Sequence, residues 1–441
     1  MNRYVALIAC VYLSGCVTAP PRSTQPQPMP LSAVDTSWRT GKGFDLAEAK
    51  ALIEFCTALD YGVDVPPDYA GVARPENAAG WKELYPVPEI LPANAAPTPI
   101  GPYGNAWKLY HKVGSDIYVI AIRGTIDTKG SIAADLIATS TPAFVQIQAR
   151  QNPYRKVSFT LAETPQAETH LGWTYAMAEL MLDQKNGILS VLRDARYVPP
   201  GSRLLITGHS QGAAIATLVH AFLHYAITDP ANHFGLHDSG FTLKSYVFAQ
   251  PKPGNWQFAM DFARIAGSKG TAFVVNNNWD WVPQTPLSIE FFDEPGADMA
   301  ALLNGLPGWR GAVNAILAGT AIGAGQGARG LIALKVADTA VKDVEEHNNF
   351  DEQYLTDGLV PESAKRAYSV NYAVVGEQVP VFGSALPAGT IKDDGAMAEH
   401  HGPTYRTLLE SLPDEGGPTA PSGLVRQQPA VAEDGAPHGL R

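Results

Sequence analysis

The pentapeptide Gly208–Gly212, GHSQG, is the only G-x-S-x-G sequence in the chain, and the serine at its centre can serve as a nucleophile. It follows the apolar run RLLIT and precedes a helical stretch, which predicts Ser210 on a sharp turn between a strand and a helix. Glycines on both sides of such a turn let the backbone pass closely. The turn also places the main-chain N–H of Gln211 at the helix N-terminus, where it can stabilise a developing oxyanion.

A nucleophilic serine needs a base to take its proton and an acid to orient that base, and behind a strand–turn–helix nucleophile these follow in the order acid, then histidine. Asp280 lies in the loop that follows the predicted strand ending at Asn276, at the strand's C-terminal end, where ligand sites of parallel sheets gather. Three other carboxylates compete with it: Asp261, Glu290 and Asp293. His400 and His401 follow downstream, and either can supply the base.

The elements that must position these residues are predicted from apolar periodicity. Near-continuous apolar runs predict strands at Ile117–Ile122, Arg203–Thr207, Leu243–Phe248 and Thr271–Asn276. Helical periods cover His170–Leu192, Gln211–Ile227 and Gly311–Val344. Two later extended runs, Ser369–Val375 and Gln378–Phe382, predict a hairpin. Buried strands separated by helices indicate an α/β fold, with a mostly parallel sheet covered by helices on both faces.

Composition narrows the class of protein. The chain has 441 residues, 45% of them apolar, which is enough for a sizeable core. The net charge is −11 and no cluster of Lys and Arg occurs, which argues against nucleic-acid binding. No P-loop and no G-x-G-x-x-G after a strand occurs, so a nucleotide cofactor has no support. His220 and His224 have an i, i+4 spacing but no zincin glutamate, and we expect them on a helix surface rather than on a metal.

The N-terminus is typical of an export signal. Tyr4–Leu13 is an apolar stretch of ten residues, shorter than the ~20 that span a bilayer. Residues 13–16, LSGC, resemble the lipobox of bacterial lipoproteins, which implies cleavage after residue 15 and acylation of Cys16. Val17 is not the aspartate associated with inner-membrane retention, so we expect an exported protein, anchored by acyl chains in the cell envelope at the outer membrane. An ordinary secretory signal is the alternative.

The domain organisation follows from composition along the chain. We expect a signal peptide at 1–15, a lipidated cysteine and Pro-rich tether at 16–34, a globular domain at 35–412 with a long insertion at about 284–365, and a disordered tail at 413–441.

Several landmarks together resemble the class 3 lipases, the fungal-lipase-like branch of the α/β-hydrolases. They are Val119–Thr125 (VIAIRGT), His170–Trp173 (HLGW), the Gly208–Gly212 turn, Phe248–Asn255 (FAQPKPGN), Asn278–Pro283 (NWDWVP) and Tyr372–Gly376 (YAVVG). The resemblance implies an α/β-hydrolase fold and hydrolysis of carboxylic esters of lipids, as in a lipase or carboxylesterase, without a metal or other cofactor. A movable lid is implied at Ile126–Ile137.

The resemblance also assigns roles to matching positions. It implies Ser210 as the nucleophile, Asp280 as the residue that orients the base, and Thr125 as the partner of Gln211 in the oxyanion hole. The base precedes a helix that carries a tyrosine about five positions on, which favours His400 over His401. The alternative function is a non-catalytic envelope lipoprotein that uses the hydrolase fold as a binding or assembly module.

Overall fold

The computed structural model describes residues 43–61, 80–85, 100–101, 103–125, 135, 140–149, 155–184, 186–286, 372–383 and 399–412. The helices are α1 (Leu46–Tyr61), α2 (Leu171–Leu182), α3 (Ile188–Leu192), α4 (Gln211–Thr228), α5 (Trp256–Ile265) and α6 (Gly402–Glu410). The strands are β1 (Trp81–Tyr85), β2 (Trp107–Lys112), β3 (Ile117–Ile122), β4 (Ser140–Pro142), β5 (Phe144–Ala149), β6 (Arg155–Thr160), β7 (Glu168–His170), β8 (Arg203–His209), β9 (Thr242–Phe248), β10 (Gly254–Asn255), β11 (Ala272–Asn277), β12 (Tyr372–Ala373) and β13 (Glu377–Val381).

The central sheet has the strand order β1-β2-β3-β8-β9-β11-β13. Its first three strands are antiparallel, and β3, β8, β9, β11 and β13 run parallel. The parallel strands end at one edge, so the turns after β8, β11 and β13 lie on the same side of the molecule.

Helices cover both faces of this sheet. Neighbouring residues of a strand point to opposite faces, and two on β9 show which helix lies on each. The hydroxyl of Tyr246 donates to Glu48 of α1, whereas the hydroxyl of Ser245 is hydrogen bonded to His220 of α4. The predicted α/β-hydrolase fold is confirmed, and its four predicted parallel strands are β3, β8, β9 and β11, with small shifts at their ends.

The predicted helix His170–Leu192 is interrupted. It divides into α2 and α3 around Gly187, whose N–H donates to the carbonyl of Asp183. A Cβ on Gly187 would lie 2.3 Å from that carbonyl oxygen. The bend between the two helices therefore requires glycine at this position, because a larger residue would clash.

The predicted hairpin between Ser369–Val375 and Gln378–Phe382 is wrong. β12 pairs with β10 in a small four-stranded sheet, whereas β13 joins the central sheet parallel to β11. The side chain of Gln250 separates the two strands, because its amide donates to the carbonyl of Val375 and accepts from the N–H of the same residue. Gly376 then redirects the chain with a φ of 128°.

Several predicted segments lie outside the described residues. They are the signal peptide and tether, the helical stretch Gly311–Val344, almost all of the insertion at about 284–365, all but Asp135 of the lid segment, and the tail. Within the ranges that the structure describes, no helix is both long and apolar enough to cross a bilayer.

Candidate active site

Ser210 lies on the turn between β8 and α4 with a strained backbone, at φ 58° and ψ −130°. Such a conformation costs about 1–3 kcal/mol in a residue other than glycine, and close packing maintains it here. A Cβ on Gly208 would lie 2.1 Å from the carbonyl oxygen of Gly212, and a Cβ on Gly212 would lie 2.5 Å from that of Ile122. A side chain at either glycine would clash with the neighbouring backbone, so both positions require glycine. This close backbone packing holds the serine at the edge of the sheet.

The imidazole of His400 lies between Ser210 and Asp280. Its Nε2 is 2.8 Å from Oγ of Ser210, and its Nδ1 is 2.9 Å from Oδ2 of Asp280. A carboxylate can only accept, so Nδ1 carries the hydrogen and Nε2 of the neutral ring accepts from the serine hydroxyl. The three side chains thus form one hydrogen-bonded series in the orientation that general-base catalysis requires.

Two further groups hold the carboxylate of Asp280. Its Oδ1 accepts from the main-chain N–H of Val282, and its Oδ2 accepts from the hydroxyl of Tyr405 at 2.8 Å as well as from His400. Burial and the neighbouring charge of Asp280 raise the pKa of Tyr405 well above its ordinary value, so the phenol keeps its proton and remains a donor. Asp280 is 4% exposed, and these bonds leave it little freedom to turn.

The competing residues lie elsewhere. The carboxylate of Asp261 accepts from Tyr225, Thr164 and Arg264, in a network that ties α5 to α4. Glu290 and Asp293 lie outside the described residues.

His401 also lies apart from the serine. It is the N-cap residue of α6, and its carbonyl accepts from the N–H groups of Thr404 and Tyr405. Of the two adjacent histidines, the structure brings only the side chain of His400 to Ser210.

The two residues predicted for the oxyanion hole meet at the carboxylate of Asp135. The hydroxyl of Thr125 donates to its Oδ2 at 2.9 Å, and the side-chain amide of Gln211 donates to its Oδ1 at 2.9 Å. Because the hydroxyl hydrogen of Thr125 is engaged by Asp135, the group that Thr125 can offer to an oxyanion without rearrangement is its main-chain N–H. Asp135 therefore connects the residues of the two predicted donors.

Two residues of the HLGW sequence, His170 and Trp173, hold the carboxylate of Asp135 in place. Nε1 of Trp173 donates to Oδ1 of Asp135 at 2.9 Å, and the indole ring is stacked on His170 with centroids 3.6 Å apart. Burial lowers the pKa of His170 to about 3, so this ring is neutral at neutral pH and stacks without charge. Burial raises the pKa of Asp135 to about 6, while its three side-chain hydrogen bonds lower it.

Asp135→Asn is expected to lower kcat on a soluble ester by about tenfold, less than the 10²–10³-fold typical for loss of an oxyanion donor itself. The amide oxygen can still accept from Trp173 and Gln211, but the NH2 group in place of Oδ2 can only donate, so the hydroxyl of Thr125 must rotate to accept and the support of its residue is altered. Steady-state kinetics on purified protein measures the effect. Asp116→Asn, which alters an exposed carboxylate paired with Arg203, is the matched control. An unchanged kcat in Asp135→Asn would contradict this role.

Sequence reasoning missed three contributors: Asp135, His209 and Tyr405. Tyr405 was a spacing landmark and Asp135 lay in the predicted lid, but their bonding partners are remote in sequence. His209 is the second residue of the pentapeptide and is 4% exposed beside the ring of His400. Cys16 lies outside the described residues.

The expectation for His220 was wrong. His220 is buried, and its Nδ1 is 2.8 Å from Oγ of Ser245, so it packs α4 on the sheet instead of lying on the helix surface.

A comparison with known families matches residues 119–290 to the family "Lipase (class 3)". This match includes Ser210 and Asp280 and ends before His400. A secreted mono- and diacylglycerol lipase of Malassezia globosa, MDL4, is 35% identical over 124 residues, which is 28% of this chain. The chain spans only about a third of that relative, 35% of its length.

Two solved structures are also similar. The Rhizomucor miehei lipase propeptide complex is 18% identical, with a TM-score of 0.35 over 59% of this chain and 73% of that one. M37 lipase is 14% identical, with a TM-score of 0.42 over 83% of this chain and 91% of that one. The chain thus contains a region, residues 119–290, that matches the class 3 lipase family within an α/β-hydrolase fold.

Proposed function

We propose that this protein is a serine hydrolase that cleaves carboxylic esters of lipids through an acyl-enzyme on Ser210. The observation that carries the proposal is the series of hydrogen bonds from Ser210 through His400 to Asp280, on a strand–turn–helix that lies inside the class 3 lipase match. The similarity to a Malassezia mono- and diacylglycerol lipase supports acylglycerols as the class of substrate.

In the first half of the reaction, Oγ of Ser210 attacks the ester carbonyl carbon while Nε2 of His400 takes the hydroxyl proton. The imidazolium that forms is stabilised by the Asp280 carboxylate at Nδ1. The carbonyl oxygen becomes an oxyanion that accepts from the main-chain N–H groups of Gln211 and Thr125. Collapse of this intermediate breaks the bond to the leaving alkoxide, which receives the proton from His400, and leaves an ester on Ser210.

In the second half, water attacks the acyl-enzyme in the same site. His400 takes a proton from the water as it adds to the carbonyl carbon, and the same two N–H groups stabilise the second oxyanion. Collapse releases the carboxylic acid, and His400 returns the proton to Oγ of Ser210. Apart from the water that hydrolyses the acyl-enzyme, the groups that act on the substrate in this cycle are side-chain and main-chain groups of the chain.

Labelling with a fluorophosphonate probe tests the proposal directly, because only an activated serine reacts with it. We expect stoichiometric labelling at Ser210, together with hydrolysis of acylglycerols in an emulsion. A folded wild-type protein that takes up no label and hydrolyses no ester would contradict the proposal and favour the non-catalytic binding module.

The pH dependence of kcat/KM should show an acid limb with a midpoint below 6.5. Burial lowers the pKa of His400 below its ordinary 6.5, although Asp280 raises it and the nearby His209 and His401 lower it further. The neutral ring is the base, so the rate falls only when the pH drops through this lowered pKa.

A pH–rate profile on a soluble ester measures this midpoint. Asp135→Asn is the control, since burial raises the pKa of Asp135 to about 6 and this carboxylate could otherwise set the limb. A midpoint above 6.5, or loss of the limb in that variant, would contradict the assignment to His400.

We further propose that the mature protein begins at Cys16 and is anchored in the outer membrane by acyl chains on that residue. The support is the LSGC sequence after a short apolar stretch, with Val17 next. Each buried methylene contributes ~0.8 kcal/mol, and two or more chains are needed for stable anchoring.

Cys16→Ser should therefore convert a membrane-associated protein into one that stays in the supernatant. The change removes the thiol that carries the acyl chains and nothing from the globular domain. Fractionation of cells by ultracentrifugation with immunoblotting measures the shift. Cys10→Ser, within the predicted signal peptide, is the matched control and should leave fractionation unchanged. A Cys16→Ser protein that still pellets with membranes would contradict acyl anchoring.

A further inference from the structure

The side chain of His209 takes no part in the reaction proposed above, yet it is hydrogen bonded to the main chain of His400, the residue that carries the base. His209 lies beside Ser210 at the end of β8 and is 4% exposed. Its Nε2 is 2.6 Å from the main-chain carbonyl oxygen of His400. The residue before the nucleophile and the residue that carries the base are therefore joined directly, although they are 191 positions apart in sequence.

The direction of this bond follows from its chemistry. A carbonyl oxygen can only accept, so Nε2 of His209 carries the hydrogen. An imidazolium would carry the same hydrogen, so the bond does not depend on the charge of His209. The bond is also buried, and leaving the His400 carbonyl unpaired there would be unfavourable.

The neighbouring carbonyl has an anchor of its own. Nδ2 of Asn277, at the end of β11, donates to the carbonyl of Glu399 at 3.3 Å and to its side-chain Oε2 at 2.9 Å. Two consecutive carbonyls of the turn that carries the base are thus held by two strands of the central sheet, β8 and β11. Of the two, the bond from His209 is the shorter and acts on His400 itself.

Ring contacts place His209 against the same turn. Its ring centroid is 4.7 Å from that of His400 and 5.9 Å from that of Tyr405, the latter at an interplanar angle of 74°. Either the ring contacts or the hydrogen bond could hold the turn. Only the hydrogen bond fixes a particular main-chain atom of His400, and through it the position from which the imidazole reaches Ser210.

We propose that His209 is a positioning residue, whose Nε2–H holds the main chain of His400 so that the imidazole meets the hydroxyl of Ser210. This proposal rests on the proposed function, in which His400 is the base. A displacement of about 1 Å in a catalytic group can cost roughly 10²-fold in rate, so loss of this anchor should reduce kcat without weakening substrate binding.

Two substitutions separate the hydrogen bond from the ring. His209→Gln keeps an N–H donor at nearly the reach of Nε2 and removes the ring, whereas His209→Phe keeps a ring and removes the donor. For a soluble p-nitrophenyl ester we expect kcat of His209→Phe to fall roughly 10–100-fold with little change in KM. His209→Gln should recover most of the lost kcat. Equal losses in both variants, or wild-type kcat in His209→Phe, would overturn the proposal.

A second measurement does not depend on activity. Amide hydrogen exchange by mass spectrometry on the full chain should be faster over residues 399–405 in His209→Phe than in the wild type, and close to wild type in His209→Gln. If the wild type takes no fluorophosphonate label, the proposed function fails while this exchange pattern still tests the anchor. If His209→Phe does not fold, His209→Asn replaces it, because its shorter amide cannot reach the carbonyl. Equal exchange in the Gln and Asn variants would then overturn the proposal.

Discussion

Ser210→Ala is expected to lower kcat for ester hydrolysis by roughly 10⁴-fold or more, which is the range seen when a triad nucleophile is removed. The substitution deletes one oxygen, and with it the atom that forms the acyl bond and donates its hydrogen to Nε2 of His400. Alanine keeps the Cβ that already tolerates the strained turn, with φ 58°, and both flanking glycines remain. The fold should therefore persist while the chemistry is lost.

The measurements are initial rates with p-nitrophenyl esters and the midpoint of thermal unfolding. Ser190→Ala is the matched control. It removes the same atom from a serine of α3 whose hydroxyl donates to the main-chain carbonyl of Gly187. Retention of more than a small residual rate in Ser210→Ala, with the control fully active, would show that the nucleophile lies elsewhere.

His400→Ala should lower kcat by orders of magnitude, whereas His401→Ala should change it little. The two residues are adjacent, but only His400 lies between the serine and Asp280, with both ring nitrogens engaged. His401 occupies the N-cap position of α6, where its main-chain carbonyl accepts from the N–H groups of Thr404 and Tyr405, and these two bonds survive the change to alanine. His401→Ala is thus the matched control, with the same chemistry one position away.

Both variants are assayed for kcat at equal concentrations of folded protein. A loss confined to His401→Ala would overturn the assignment of the base, and near-full activity in both variants would show that neither histidine is the base. Imidazole added to His400→Ala provides a further check, since partial recovery of rate is expected if the missing group is a proton acceptor.

Local sequence was informative where the relevant contacts are local. The turn around Ser210 was predictable because glycines two positions before and after the serine reflect steric limits on adjacent backbone. The buried strand β3 was predictable with its observed bounds, because IYVIAI is apolar at every position and a strand covered on both faces needs no polar side. Asp280 could be selected as a candidate because parallel strands present their following loops at one edge.

Local sequence misled where a remote side chain decides the path of the chain. The extended runs around Gly376 have the pattern of a hairpin, but Gln250 bonds both main-chain groups of Val375, and the two strands enter different sheets. We expected His220 on a helix surface, yet α4 packs against the sheet along the face that carries it. A sequence pattern contains no information on which distant element covers a given face.

The sequence by itself thus determined the fold class, the candidate nucleophile and a short set of candidate partners, because periodicity and turn chemistry depend on neighbouring residues. Only the tertiary structure decided which of two adjacent histidines meets the serine, which carboxylate meets that histidine, and that Asp135, Tyr405 and His209 support them. These contacts join residues such as Asp280 and His400, which are 120 positions apart. The side chains of two neighbouring residues point in different directions. Which of the two histidines faces the serine is set by the packing of α6 and by hydrogen bonds from β8 and β11. No local sequence pattern encodes these long-range contacts.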